Sequence, residues 1–313
     1  MASPRRSLTA PSRLHAPQLT RRSALLGGVG LAGLGLSACS GNATRGEGSG
    51  AGTITIGYMR AWTDTLCMAY LLADRLKALG NEVAFEELSD AAVVYAALAG
   101  GDIDIYSSGW PDVTHAEYMK QYGDDIEDLV TYNSNATNML AVPEYTDIDT
   151  IEDLAEDPGR FGGRLTGIEP GAGLTGMVED SVIPEYGLDD GFEFVTSSTP
   201  AMLSELKKAT DAEKDIVVTL WRPFWAYQAF PVKALEDTEG AFGKPETMHV
   251  FGRDGFGKDF ADAADYIGQI SLKDEEYESL EDMVLNDFEE GEEDDAVAAW
   301  LEKNPDILPA VES

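Results

Sequence analysis

Residues 101–115 read Gly-Asp-Ile-Asp-Ile-Tyr-Ser-Ser-Gly-Trp-Pro-Asp-Val-Thr-His. Positions 103–106 have the composition of a short strand, which runs into a Ser-Ser-Gly turn that delivers Trp110. Similar units lie on both sides. Upstream, the alternating run 53–58 is a strand that ends shortly before Trp62. Residues 65–79 form a helix stopped at Gly80, 82–88 a strand, and 91–99 a helix closed by Gly100-Gly101. Downstream, strands are expected at 139–142, 165–168, 192–195 and 216–221, and helices from 151, over 177–186 and over 200–212. The tail, about 273–303, is helical, with Leu280, Met283 and Val284, then Val297, Trp300 and Leu301, three and four apart. This alternation predicts an α/β fold with mostly parallel sheets.

The N-terminus has a different composition. The first 38 residues contain Arg5, Arg6, Arg13, Arg21 and Arg22 and no acid, with an apolar run from Ala24 to Leu36. A basic start, a short apolar run and small residues before a cleavage point make an export signal. The run is shorter than the ~20 residues of a spanning helix. Cys39 directly follows Leu36-Ser37-Ala38, which resembles a bacterial lipobox and implies a diacylated Cys39 at the head of the mature chain. Arg21-Arg22 resembles a twin-arginine signal, with Ala24 where that motif prefers Phe, so both export routes stay open. Residues 39–52, rich in Gly, Ser and Ala, are expected to be a flexible tether.

The chain has 22 basic and 57 acidic residues, a net charge of −35. Loss of the five signal arginines makes the remainder more acidic still. Such a surface repels nucleic acid and anionic lipid, so the lipid anchor is the only expected membrane contact. Cys39 and Cys67 make no disulfide framework, and Cys67 is expected to pack as a small hydrophobe. His15, His115 and His249 lack metal-ligand spacing, and neither a metal nor a cofactor is expected.

Trp62, Trp110 and Trp221 each follow a predicted strand, with Trp225 one turn beyond the last. Ligands of open α/β sheets bind beyond the carboxyl ends of strands. Indoles converging there attract a cation at ~0.5–1 kcal/mol each when exposed and ~2 or more when desolvated. Packing in the core is the competing reading for any one of them.

The segments GYMRAWTDT, GDIDIYSSGWPDVTH, TGIEPGAGLTG, SSTPAMLSELKKA and IVVTLWRPFWAY occur in this order. Together they resemble the glycine betaine/choline-binding proteins of ABC importers, from about Thr53 to the terminal WLEKNPD. The resemblance implies a two-lobe type II periplasmic-binding-protein fold with a ligand cleft between lobes. Lobe I would be 53–138 with 245–313, and lobe II 139–244. The resemblance also implies an extracytoplasmic protein served by an ABC permease and its ATPase subunit.

It further implies a cation box of Trp62, Trp110 and Trp221. A fourth wall, Tyr in choline-binding relatives, falls on Asn138, which leaves Trp225 and Tyr58 as substitutes. Phe224 stands where the family segment W-x-P-H-W carries a His expected to hold a ligand carboxylate. Other candidate donors are the backbone N–H groups of Ala61, Trp62, Thr63 and Asp64, and the side chains of Arg60 and Arg222. Asp64 matches the acid that meets the hydroxyl of choline. The reading is therefore glycine betaine, with choline or carnitine as the alternative.

Rival classes find less support. Of two G-x-G-x-x-G matches, Gly28/Gly30/Gly33 lies in the apolar run of the export signal. Gly171/Gly173/Gly176 follows a strand, but the acid a dinucleotide site wants, Glu193, falls inside the next strand rather than at its end. It reads as a tight turn that brings a helix N-terminus close to a neighbour or the ligand. No G-x-S-x-G or P-loop occurs, so an enzyme is not expected. An adhesin would not need Trp at three strand ends.

Overall fold

The computed structural model describes residues 52–311. The segment read as an export signal, Cys39 and the tether as far as Ala51 lie outside the described residues. Nine strands are described: β1 (Thr53–Tyr58), β2 (Glu82–Glu87), β3 (Ile105–Gly109), β4 (Ile126–Pro143), β5 (Arg164–Thr166), β6 (Glu193–Val195), β7 (Val217–Arg222), β8 (Val232–Ala234) and β9 (Glu246–Arg253). Their order is β2-β1-β3-β9-β4-β7-β5-β6, with β8 also on β4.

The arrangement falls into two halves joined by β4. Its first part pairs with β9 as far as Ala136, and from Thr137 onward it pairs with β7. Helices lie against both halves, as expected of an α/β fold. Ile54 and Ile56 of β1, Leu71 and Leu72 of the helix Thr63–Ala78, and Trp300 of the helix Glu293–Lys303 are wholly buried.

Side-chain caps set the start of two helices. The Asp90 carboxylate accepts from Val93 N–H (3.1 Å) and starts the helix Ala91–Gly100, and Gly101 closes it at φ 74°, where a Cβ would be strained. Ser198 accepts from Ala201 N–H (3.3 Å), with Pro200 in the first turn of Thr199–Asp211. The helix Thr63–Ala78 is different: its cap position is held by Trp62, which makes no capping bond. Instead Thr65 Oγ1 accepts from Met59 N–H (2.8 Å) and fixes the turn ahead of it.

Three expectations need correction. The sheet is mixed: β4 runs antiparallel to β7, β8 and β9, and β3 antiparallel to β9. β4 has 18 residues where the sequence suggests only 139–142. Register shifts near 128–130, 131–133 and 133–136 break its period-two pattern. β9 is buried almost throughout and does not alternate either. The tail is not one helix, since Asp274–Asp282 and Glu293–Lys303 are separated by a break at 288–292. No helix among the described residues is long and apolar enough to cross a membrane.

Candidate functional site

Trp62 leaves the end of β1, Trp110 leaves the end of β3, and Trp221 is the penultimate residue of β7, opposite Asn138 of β4. All three indoles line one cavity, together with Asp64, Thr114, His115, Asn138, Ile168, Ala172, Gly173 and Leu174. The Trp62 and Trp221 rings lie 6.5 Å apart and steeply inclined. The indoles are nearly inaccessible to solvent, so a cation between them would be desolvated and held more strongly than at the surface.

Each ring is fixed by its N–H or by a neighbour. Trp110 Nε1–H donates to Asp64 Oδ2 (3.2 Å), which also accepts from the Ser108 hydroxyl (2.8 Å). Tyr132 in turn donates to Ser108 Oγ (2.8 Å). Trp62 Nε1–H donates across the halves to Glu169 Oε2 (3.2 Å), an acid also bound by Thr199 N–H (2.8 Å) and the Thr199 hydroxyl (2.9 Å). Trp221 has Phe224 stacked on it at 3.9 Å between ring centroids.

The cavity is lined by one carboxylate and by neither lysine nor arginine. Burial pushes the Asp64 carboxyl up to about 6, against the bonds from Ser108 and Trp110 that favour its charged form. Burial drives His115 down to about 3, so its ring is neutral. Its Nδ1 accepts from Trp110 N–H (3.0 Å), which puts the ring proton on Nε2 and makes Nε2–H the donor that His115 has to offer. A helical run starts at Gly173, and its first backbone N–H groups have no partner within the helix. His115 and the residues of this helix start both line the cavity and carry neutral N–H donors.

The remaining expected residues lie elsewhere. Phe224 does not line the cavity; it backs Trp221. Trp225, Ala61 and Thr63 line a separate groove with Arg60, Leu203 and Phe288. Tyr58 packs edge-on against Tyr70 and Phe85. Arg60 is paired with Glu293 (2.6 Å), and Arg222 lies over the Tyr227 ring (4.2 Å). Asn138 lines the cavity, whereas Trp225 and Tyr58 do not. Sequence reasoning misses Thr114, His115, Ile168, Ala172, Gly173 and Leu174. His115 and the Gly171–Gly176 turn do stand inside quoted motifs, and that was the available signal.

Comparison with known proteins identifies the family. Residues 52–303 match the substrate binding domain of ABC-type glycine betaine transport systems. The glycine betaine/carnitine transport binding protein GbuC of Listeria monocytogenes is 33% identical over 162 residues, a match spanning 50% of this chain and 51% of that relative. The chain thus matches about half the length of this curated relative. Among solved structures, glycine betaine/L-proline-binding ProX of Borrelia burgdorferi is 27% identical with a TM-score of 0.75, covering 82% of this chain and 97% of that one. Lactococcal OpuAC, closed on glycine betaine, is 28% identical with a TM-score of 0.74, covering 81% and 96%. A choline-binding protein in complex with choline is 26% identical with a TM-score of 0.72, covering 81% and 89%. The match over 52–303 places this chain in the family of substrate-binding domains of ABC-type glycine betaine transport systems.

Proposed function

We propose that the chain captures a methylated quaternary ammonium compound, with glycine betaine as the primary ligand, and presents it to an ABC permease and its ATPase. The observation that carries this reading is the convergence of Trp62, Trp110 and Trp221, drawn from both halves of the sheet, on one cavity lined by neither lysine nor arginine. The trimethylammonium group sits among the indoles. The carboxylate turns toward His115 Nε2–H and the amides of Gly173 and Leu174. Residues 53–138 with 245–313 form one lobe and 139–244 the other, a division supported by the change of partner along β4 after Ala136. Closure of the lobes removes water from the cation.

Asp64 favours a second reading. A buried carboxylate in the lining suits a cation with a hydroxyl, as in choline, and opposes a carboxylate. Calorimetric titration with glycine betaine, choline and carnitine separates the two. For betaine, His115→Ala weakens binding more than Asp64→Asn does; for choline the order is reversed. Absence of heat with all three ligands would remove the proposal.

The export signal in residues 1–38 and the lipid anchor at Cys39 belong to the same reading and are supported by the sequence there. They place the protein on the outer face of the cell membrane. Cys39→Ala is expected to release it from the membrane fraction.

A further inference from the structure

The loop between β3 and the helix Ala116–Tyr122 supplies two cavity walls, Trp110 and His115. Glu246, the first residue of β9, reaches into that loop. Its carboxylate accepts from Val113 N–H (2.9 Å) and Thr114 N–H (3.1 Å), and the Thr114 hydroxyl donates to it as well. The residue is buried, and burial raises its pKa. One buried carboxylate with three donors from two consecutive residues is a specific receptor for this loop.

Its backbone position adds to this. Glu246 pairs with Ala136, and the next residue of β4, Thr137, pairs with Arg222 of β7. Glu246 therefore stands where β4 changes from one set of partners to the other. From the same place Asn138 Nδ2–H donates to Thr114 Oγ1 (2.6 Å). On the opposite side the Thr114 carbonyl meets Gly173, where an added Cβ would lie 1.9 Å from its oxygen. Thr114 is thus gripped from β9, from β4 and from the helix start of the second half.

We infer that Glu246 is a positioning residue for ligand capture. It fastens the 110–115 loop to the changeover point of β4, so that the second half, arriving against Thr114, sets Trp110 and His115 around the ligand. The inference rests on the proposed reading of the cavity as a quaternary-ammonium site, and it holds for betaine and choline alike. Without the carboxylate, two buried N–H groups and a hydroxyl lose their partner and the loop loosens.

The test measures equilibrium and rate constants for glycine betaine and choline on the wild type, Glu246→Ala, Glu246→Gln, Thr114→Val and the double variant Glu246→Ala/Thr114→Val. Unliganded melting temperatures accompany them. Glu246→Ala is expected to raise Kd by about tenfold or more, mainly through faster dissociation. Glu246→Gln, whose amide oxygen still accepts, restores most of the affinity. The double variant binds little worse than Glu246→Ala alone, because both changes break one coupled unit. Should Glu246→Ala fail to fold, Thr114→Val decides: it must raise dissociation at near-native melting temperature, with Glu246→Gln close to wild type. Wild-type affinity in Glu246→Ala, or additive losses that track melting temperature, overturn the inference alone. A wild-type chain that binds neither probe overturns the functional reading and takes this inference with it.

Discussion

Alanine at Trp110 or Trp221 removes one indole face from a desolvated cavity. Each is expected to weaken quaternary-ammonium binding by roughly 1–3 kcal/mol, about tenfold to a hundredfold. Titration of both variants checks this, and wild-type affinity in both would dissolve the box. Asp64 adds a pH dependence. Its carboxyl stands at about 6 because burial disfavours its charged form, and a cation beside it favours that form again. Cation binding therefore drives a proton off. Affinity is full above about pH 6 and falls below it, and Asp64→Asn flattens the profile. Stability of the unliganded fold follows the opposite sign. The raised carboxyl contributes below its ordinary value of 3.8, and that contribution is lost as pH rises through about 6. Calorimetry across this window measures the first effect, and melting of the unliganded protein the second. The indoles are legible in the sequence because each follows a short strand with a clear stop. His115 is not, since its role comes from burial against Trp110 N–H, which no spacing reveals.

Among the elements, the helix start at Gly173 makes the sharpest demand. A Cβ there would collide with the Thr114 backbone carbonyl from the other half, and a carbonyl cannot swing aside as a flexible side chain can. Gly173→Ala leaves each half intact and favours helix slightly. The unliganded melting temperature is expected to stay level or rise, while the shift caused by saturating glycine betaine shrinks. A variant with an undiminished ligand-induced shift would show that the halves do not close onto Thr114. Short strands and some helix ends were readable because glycines such as Gly80 and Gly100-Gly101 mark them, whereas the caps Asp90 and Ser198 emerge only in the fold. β4 and β9 were not, because repeated register shifts in one and continuous burial in the other erase alternation. The long joining strand, and with it the place where the halves meet, was hidden for the same reason.

For the molecule as a whole, a net charge of −35 works against compactness. Raising salt from about 0.1 to 1 M shortens the screening length from ~10 to ~3 Å, and the melting temperature is expected to climb. Scanning calorimetry over that range checks it, and a flat or falling curve would show that self-repulsion is not limiting. The order of motifs along the chain made the two-lobe fold legible, whereas the depth and lining of the cavity needed the folded arrangement. The hydrogen bond from Trp62 to Glu169 has a practical consequence. Three of the five tryptophans stand at the cavity, and one of them is tethered across the halves. Parting the halves would wet that indole and shift its emission to longer wavelength, so the protein carries a built-in fluorescent gauge of its own occupancy, readable without any added dye.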